Sequence, residues 1–121
     1  MNSESETGPV DGRDYRMRVV DDPGRIPRED WDRLAGAGRS VTHPFTDHRY
    51  LCALSDSGSV GGDSGWLPRF VLLERGGRIV AAAPLYEKHH SYGEYVFDWA
   101  WADAYQRHGL DYYPKGVVAV P

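Results

Sequence analysis

Carboxylates, a lysine and an unusual density of aromatic rings share one stretch of this sequence. Eight of the 15 aromatic side chains fall between Tyr92 and Tyr113: Tyr92, Tyr95, Phe97, Trp99, Trp101, Tyr105, Tyr112 and Tyr113. Threaded among them are Glu94, Asp98, Asp103, Arg107 and Lys115. Rings and polar groups mixed in this way can line a ligand cleft, stacking on a sugar or other flat group while carboxylates hydrogen-bond it. The same composition also fits a core layer whose hydroxyls and indoles are internally satisfied, because Trp and Tyr are only partly buried on average. Asp98 has a structural alternative of its own, as the N-cap of a following helix.

Other chemistries find less support. The glycine-rich segment 58–65 (GSVGGDSG) lies between a helix and a strand, whereas phosphate loops run from strand to helix so that the helix N-terminus faces the anion. No Gly-Lys-Ser/Thr accompanies it. His43, His48, His89, His90 and His108 lack zinc-site spacing, and a single Cys is present. His89 and His90 would point to opposite sides of a strand. There is no Gly-x-Ser-x-Gly elbow, and Cys52 falls on a predicted helix face, where a thiol is ordinarily inert.

The elements that must position the belt are readable from pattern. A strand is predicted at 16–20, followed by a turn at Asp21-Asp22-Pro23-Gly24. Pro27, Glu29 and Asp30 open a helix carrying Trp31, Leu34 and Ala35 on one face, with Gly36 or Gly38 ending it. A second helix begins at Thr42 or His43, with Pro44 in its first turn, and stops near Ser57. Residues 69–75 and 78–86 are β-rich runs joined by Gly76-Gly77, a hairpin signature because both glycines accept positive φ. The second run is apolar on both faces, which predicts a central, covered strand, and Pro84 marks a bulge or its end. For 92–108 the pattern predicts a short strand to Phe97, Asp98 as N-cap, a helix to His108 and Gly109 as its stop. A last strand begins at 115–120. The fold class expected is α+β, a mostly antiparallel sheet with a central Gly-Gly hairpin and flanking helices.

Composition bounds the class. A chain of 121 residues with 40% hydrophobic content is at most one domain with one core. A net charge of -4, with the 14 Lys and Arg scattered, argues against a nucleic-acid partner. The lone Cys excludes an internal disulfide, no secretory leader follows the polar start, and the longest apolar run, 79–85, is too short to cross a bilayer. These features point to a cytoplasmic protein without a membrane partner. Residues 1–14 are expected to be a mobile tail and 15–121 a domain. Because the sequence stops on Pro121 directly after an apolar strand, that domain is expected to be the front part of a longer one.

Three blocks also carry a family resemblance: Trp31-Asp32 with Leu34-Ala35; HPFTDHRYLCALSDSGSVGGDSGWLPR at 43–69; and, most specifically, APLYEKHHSYGEYVFDWAWADAYQRHGLDYYPK at 83–115 running into VVAVP at 117–121. Together they resemble the bacterial FemAB-like, GNAT-type N-acyltransferases, a family labelled as peptidoglycan biosynthesis or recognition proteins. The hairpin RFVLLERGGRIVAAAPLY resembles the second and third strands of an acetyltransferase-type fold, a weaker sign since many folds contain a hairpin. Family members are considerably longer, in keeping with an amino-terminal fragment.

The resemblance implies transfer of an acyl group to an amine. That chemistry needs two positioned substrates, a proton acceptor and donors for the developing oxyanion. It makes Asp98 and Asp103 the candidate catalytic residues, as proton acceptors. Tyr92, Glu94, Trp99, Trp101, Tyr105 and Lys115 become candidate substrate-binding residues. The implied acyl donor is acyl-CoA or an aminoacyl carrier, bound in acetyltransferase folds at a later strand and glycine-rich helix start that this sequence lacks. No cofactor site is therefore expected within it, and the isolated chain is expected to be inactive. The implied partner is a small-molecule or peptide amine. A binding module that uses the belt without chemistry and a non-functional remnant are the competing readings, and an exposed sheet edge is expected to promote self-association.

Overall fold

The computed structural model describes residues 14–37, 43–119 and 121. Most of the predicted tail, together with Gly38 and Thr42, lies outside them. The described chain is α+β, with three α-helices and two three-stranded antiparallel sheets.

Strand β1 (Tyr15–Val20) leads into a 3-10 turn at Pro23–Arg25, where the Asp22 carboxylate accepts from the Gly24 N–H at 2.8 Å. Helix α1 (Arg28–Gly36) follows, with Glu29 and Asp30 in its first turn, where they complement the helix dipole. The second helix differs from expectation. Pro44–Thr46 forms a separate 3-10 turn, and α2 (His48–Asp56) starts only after Asp47, whose carboxylate accepts from the Arg49 N–H at 2.8 Å. Asp47 supplies the side-chain acceptor that a first turn requires, and it outcompetes the start signalled by Pro44.

Strand β2 (Leu67–Pro68) precedes the hairpin of β3 (Phe70–Arg75) and β4 (Arg78–Ala83). Gly76 and Gly77 lie at φ +58° and +77°, the conformation the two-residue turn demands. In the first sheet the order is β1-β3-β4, so β3 is central and β4 is an edge. This corrects the expectation of a covered central strand over 78–86. The run breaks at Pro84, and β5 (Leu85–Lys88) joins a second sheet of order β2-β5-β6 with β6 (Lys115–Val118), leaving Val80 and Ala81 of β4 exposed. Val120 lies outside the described residues.

Side chains alternate along β3, placing Phe70 and Leu72 on the buried face. They meet Trp31 of α1, Ile79 of β4 and Tyr86 of β5 in one core that also takes in Ile26, Leu51, Val60 and Trp66. The rings pack edge to face: Trp31 on Phe70 at 6.0 Å, Phe70 on Tyr86 at 5.7 Å and Tyr86 on Trp66 at 5.6 Å. The Trp31 indole N–H donates to the Thr46 carbonyl at 2.7 Å, tying α1 to the turn before α2.

Helix α3 (Trp99–Arg107) ends at Gly109, φ +70°, as its glycine stop predicts. The expected strand up to Phe97 does not form. Residues 90–97 make turns instead, because Gly93 adopts φ +85° and the Glu94 N–H returns to the Ser91 carbonyl at 3.3 Å.

Candidate functional site

Strands β5 and β6 bring two lysines face to face, Lys88 opposite Lys115. Two lysines so placed repel one another unless anions intervene. The turn after β5 supplies Glu94, and the start of α3 supplies Asp98. Lys115 Nζ donates to Glu94 Oε1 at 2.7 Å and in a close contact to Asp98 Oδ2. The Tyr112 hydroxyl donates to that same Asp98 oxygen at 2.8 Å. Lys88 Nζ lies 3.8 Å from Glu94 Oε2, donates to the Tyr92 carbonyl at 2.6 Å and sits 3.9 Å above the Trp66 ring. Its side chain is 0% exposed, so the cation–π contact and the carbonyl replace water around a charge that burial would otherwise penalise heavily. Gly93 is required here because a Cβ on it would lie 2.9 Å from the Trp66 indole nitrogen.

Ser91 holds the turn against α3. Its hydroxyl is 2.6 Å from the Tyr113 hydroxyl and accepts from the Asp98 N–H at 3.1 Å. Asp98 therefore occupies the N-cap position of α3 without capping it: no helix N–H reaches its carboxylate, which faces Lys115 and Tyr112 instead. The N-cap expected from sequence is corrected for that reason. An ammonium and a phenol outbid the helix amides for the same oxygen.

The electrostatics follow from these contacts. Hydrogen bonds from Lys115 and then Tyr112 hold the Asp98 carboxyl below the usual aspartate value. Burial alone would lower the Lys115 ammonium, but Asp98 and Glu94 overcome it and raise the group. Burial lowers Lys88, with Glu94 partly opposing it, and burial followed by Asp98 raises the Tyr112 phenol. Two cations and two carboxylates balance. Such an assembly orients groups well. A carboxylate held this low is a weak proton acceptor, since efficient general bases have pKa values near the operating pH.

The predicted site residues separate into three places. Glu94, Asp98 and Lys115 belong to the cluster just described. Tyr92 and Trp99 are exposed and form a ring platform with Phe97: Phe97 and Trp99 stack at 4.9 Å with 9° between planes, and Tyr92 meets both edge-on. Tyr105 packs edge-on against Tyr112 at 5.1 Å. Trp101 is 65% exposed, and Asp103 is exposed and pairs with Arg107 at 3.1 Å on the α3 surface, away from the cluster. The rings from Tyr92 to Tyr105 therefore form no core layer, since each is exposed among the described residues. A cavity of about 230 Å³ opens beside the cluster, lined by Arg69, Leu85, Glu87, Pro114, Lys115 and Gly116.

Lys88, Ser91 and Trp66 were not singled out by sequence reasoning. The one available signal was the spacing of Lys88 two residues after Tyr86, which puts both on one strand face. Elsewhere, Cys52 Sγ lies 3.7 Å from Nδ1 of the buried His48, and burial raises the thiol, in keeping with an inert role. Among the described residues no group of three His, Cys, Asp or Glu is placed to hold a metal ion, and no helix is long and apolar enough to cross a membrane.

Fold and cluster together define an α+β chain whose paired charges are flanked by an open aromatic face. A family model described as FemAB-like, peptidoglycan biosynthesis/recognition, matches residues 23–121, and the chain belongs to that FemAB-like family. No curated protein and no solved structure matches it.

Proposed function

We propose that this chain contributes the acceptor-side wall of an N-acyltransferase that joins an acyl or aminoacyl group to an amine. Family membership over residues 23–121 carries the reading. In that reaction the amine nitrogen attacks the carrier-linked carbonyl carbon and a C–N bond forms. The bond to the carrier sulfur or oxygen breaks, and the proton lost by the amine leaves with the freed carrier. Asp98 and Glu94 offer carboxylate oxygens that accept from the N–H groups of a neutral amine acceptor, Lys115 keeps Asp98 aimed, and the Tyr92–Phe97–Trp99 platform supports a flat or sugar-like part of it. Asp103, exposed and paired with Arg107 on the α3 surface, is given no part in that role. The donor is acyl-CoA or an aminoacyl carrier. The splayed strand and glycine-rich helix start that acetyltransferase folds use to seat it are not seen among the described residues, so the chain alone is expected not to turn over.

The test is mass-spectrometric detection of a new amide. The product of the reading frame, including any codons that follow Pro121, is incubated with acyl-CoA or aminoacyl-tRNA and a panel of peptide and sugar amines. Transfer that falls by at least about tenfold in D98N supports the reading. Absence of transfer from both donor classes overturns it. The stacked, exposed Phe97–Trp99 pair favours one second reading, a binding module. Saturable binding of an amine-bearing sugar or peptide, lost in W99A and unaccompanied by turnover, would establish that alternative.

A further inference from the structure

A second polar feature lies at the end of the first sheet where β1 leaves and β3 begins. Arg18 and Val19 of β1, then Val20, Asp21 and Arg25 of the following turn, and Arg69 immediately before β3 line an open cavity of about 510 Å³. Three arginines and one aspartate line this single cavity, and two of the arginines reach glutamates outside its lining, Glu74 and Glu87. The register explains the grouping. Val20 pairs with Phe70, so the end of β1 lies beside the start of β3, and the tight turn at Pro23–Arg25 folds Arg25 back toward both.

The three arginines are differently engaged. Arg18 donates to Glu74 at 2.9 Å. Arg69 donates to the Pro68 carbonyl at 2.8 Å and lies 3.6 Å from Glu87. Arg25 makes no side-chain hydrogen bond or ion pair among the described residues. Each guanidinium carries five N–H donors, so one carboxylate partner leaves most of the fork unspent. A monoanionic carboxylate needs only one such fork, whereas three arginines lining one cavity suit a multiply charged anion with several acceptor oxygens. The volume falls in the range of small-molecule sites, and Val19 and Val20 give it an apolar wall for whatever carries the anion. Arg69 also lines the cavity that ends on Lys115, so the two openings adjoin.

We propose that Arg18, Arg25 and Arg69 form a binding site for a phosphate-bearing small molecule. The site is separate from the glycine-rich segment 58–65 and does not depend on acyl transfer.

Calorimetric titration of the chain with inorganic pyrophosphate, ADP and vesicles containing phosphatidic acid tests this. Saturable one-to-one binding of pyrophosphate or ADP is expected, weakened by added salt and not displaced by acetate. R25E should weaken it by at least about tenfold, while R78E, the same charge change on the far end of the hairpin, should leave it within about twofold. R18Q gives a second reading should R25E prove unfolded by circular dichroism. ADP binding tighter than pyrophosphate identifies a nucleotide-borne phosphate, and vesicle binding lost in R25E identifies a lipid headgroup. Either result supports the site. Failure of all three probes to bind, or equal losses in R25E and R78E, would overturn it.

Discussion

Lys115 shows how much one side chain can hold at the scale of a residue. It bridges Glu94 and Asp98 while being only 11% exposed. Replacing it with Met leaves Asp98 without its cation and Glu94 with Lys88 alone, so K115M is expected to cost about 3 kcal/mol, the usual order for breaking a largely buried pair. In a domain of this size that lowers Tm by more than about 10 °C, measurable by calorimetry. The same contacts set an acid dependence. The folded-state pKa of Asp98 lies below its ordinary value of 3.8, so the folded chain binds fewer protons there than the unfolded one. The stabilisation is complete above 3.8 and is lost as the pH falls from there through the folded value. Urea unfolding at about pH 6 and about pH 3 should show a larger loss for the native sequence than for D98N, which has no carboxylate to protonate. Equal losses would show that Asp98 gains nothing from its partners.

At the scale of elements, two local choices position the cluster and its supports. Asp47 decides where α2 starts. D47A removes the acceptor for the Arg49 N–H and should cost about 1 kcal/mol, or about 4–8 °C in Tm, without altering the site. Gly93 decides that the chain after β5 turns rather than extends, which is what brings Glu94 back to Lys88 and Lys115. G93A places a Cβ against Trp66 and imposes a side chain at φ +85°. It should cost at least about 1–2 kcal/mol and also disturb the fluorescence of Trp66, whereas D47A should leave that fluorescence unchanged.

Across the whole molecule, the described residues bury one compact core and leave open the edge strands of both sheets, β4 among them, and the rings of Tyr92, Tyr95, Phe97, Trp99 and Trp101. Unpaired strand edges and contiguous apolar surface favour association. Sedimentation velocity is expected to show concentration-dependent self-association, reduced in a W99S/W101S double variant. A monomer at all concentrations, with a sharp two-state melt, would contradict this expectation.

Much of the fold was legible in the sequence because it rests on local physics. The Gly76-Gly77 turn, the Gly109 stop of α3 and the break at Pro84 all come from backbone restrictions that individual residues impose wherever they stand. Tertiary structure decided what lies between partners distant in sequence. The apolar run 78–86 predicted burial on both faces, yet β1 took the far side of β3 and left β4 at the edge. Asp98 sat at a cap position with a suitable side chain, yet Lys115 and Tyr112, 17 and 14 residues away, captured its carboxylate. The sequence by itself determined the family, the hairpin, the α+β class and the concentration of aromatic and acidic groups. Only the folded chain decided which of those groups meet, because an ion pair or an arginine cavity depends on register between strands, and register is set by the packing of the whole core.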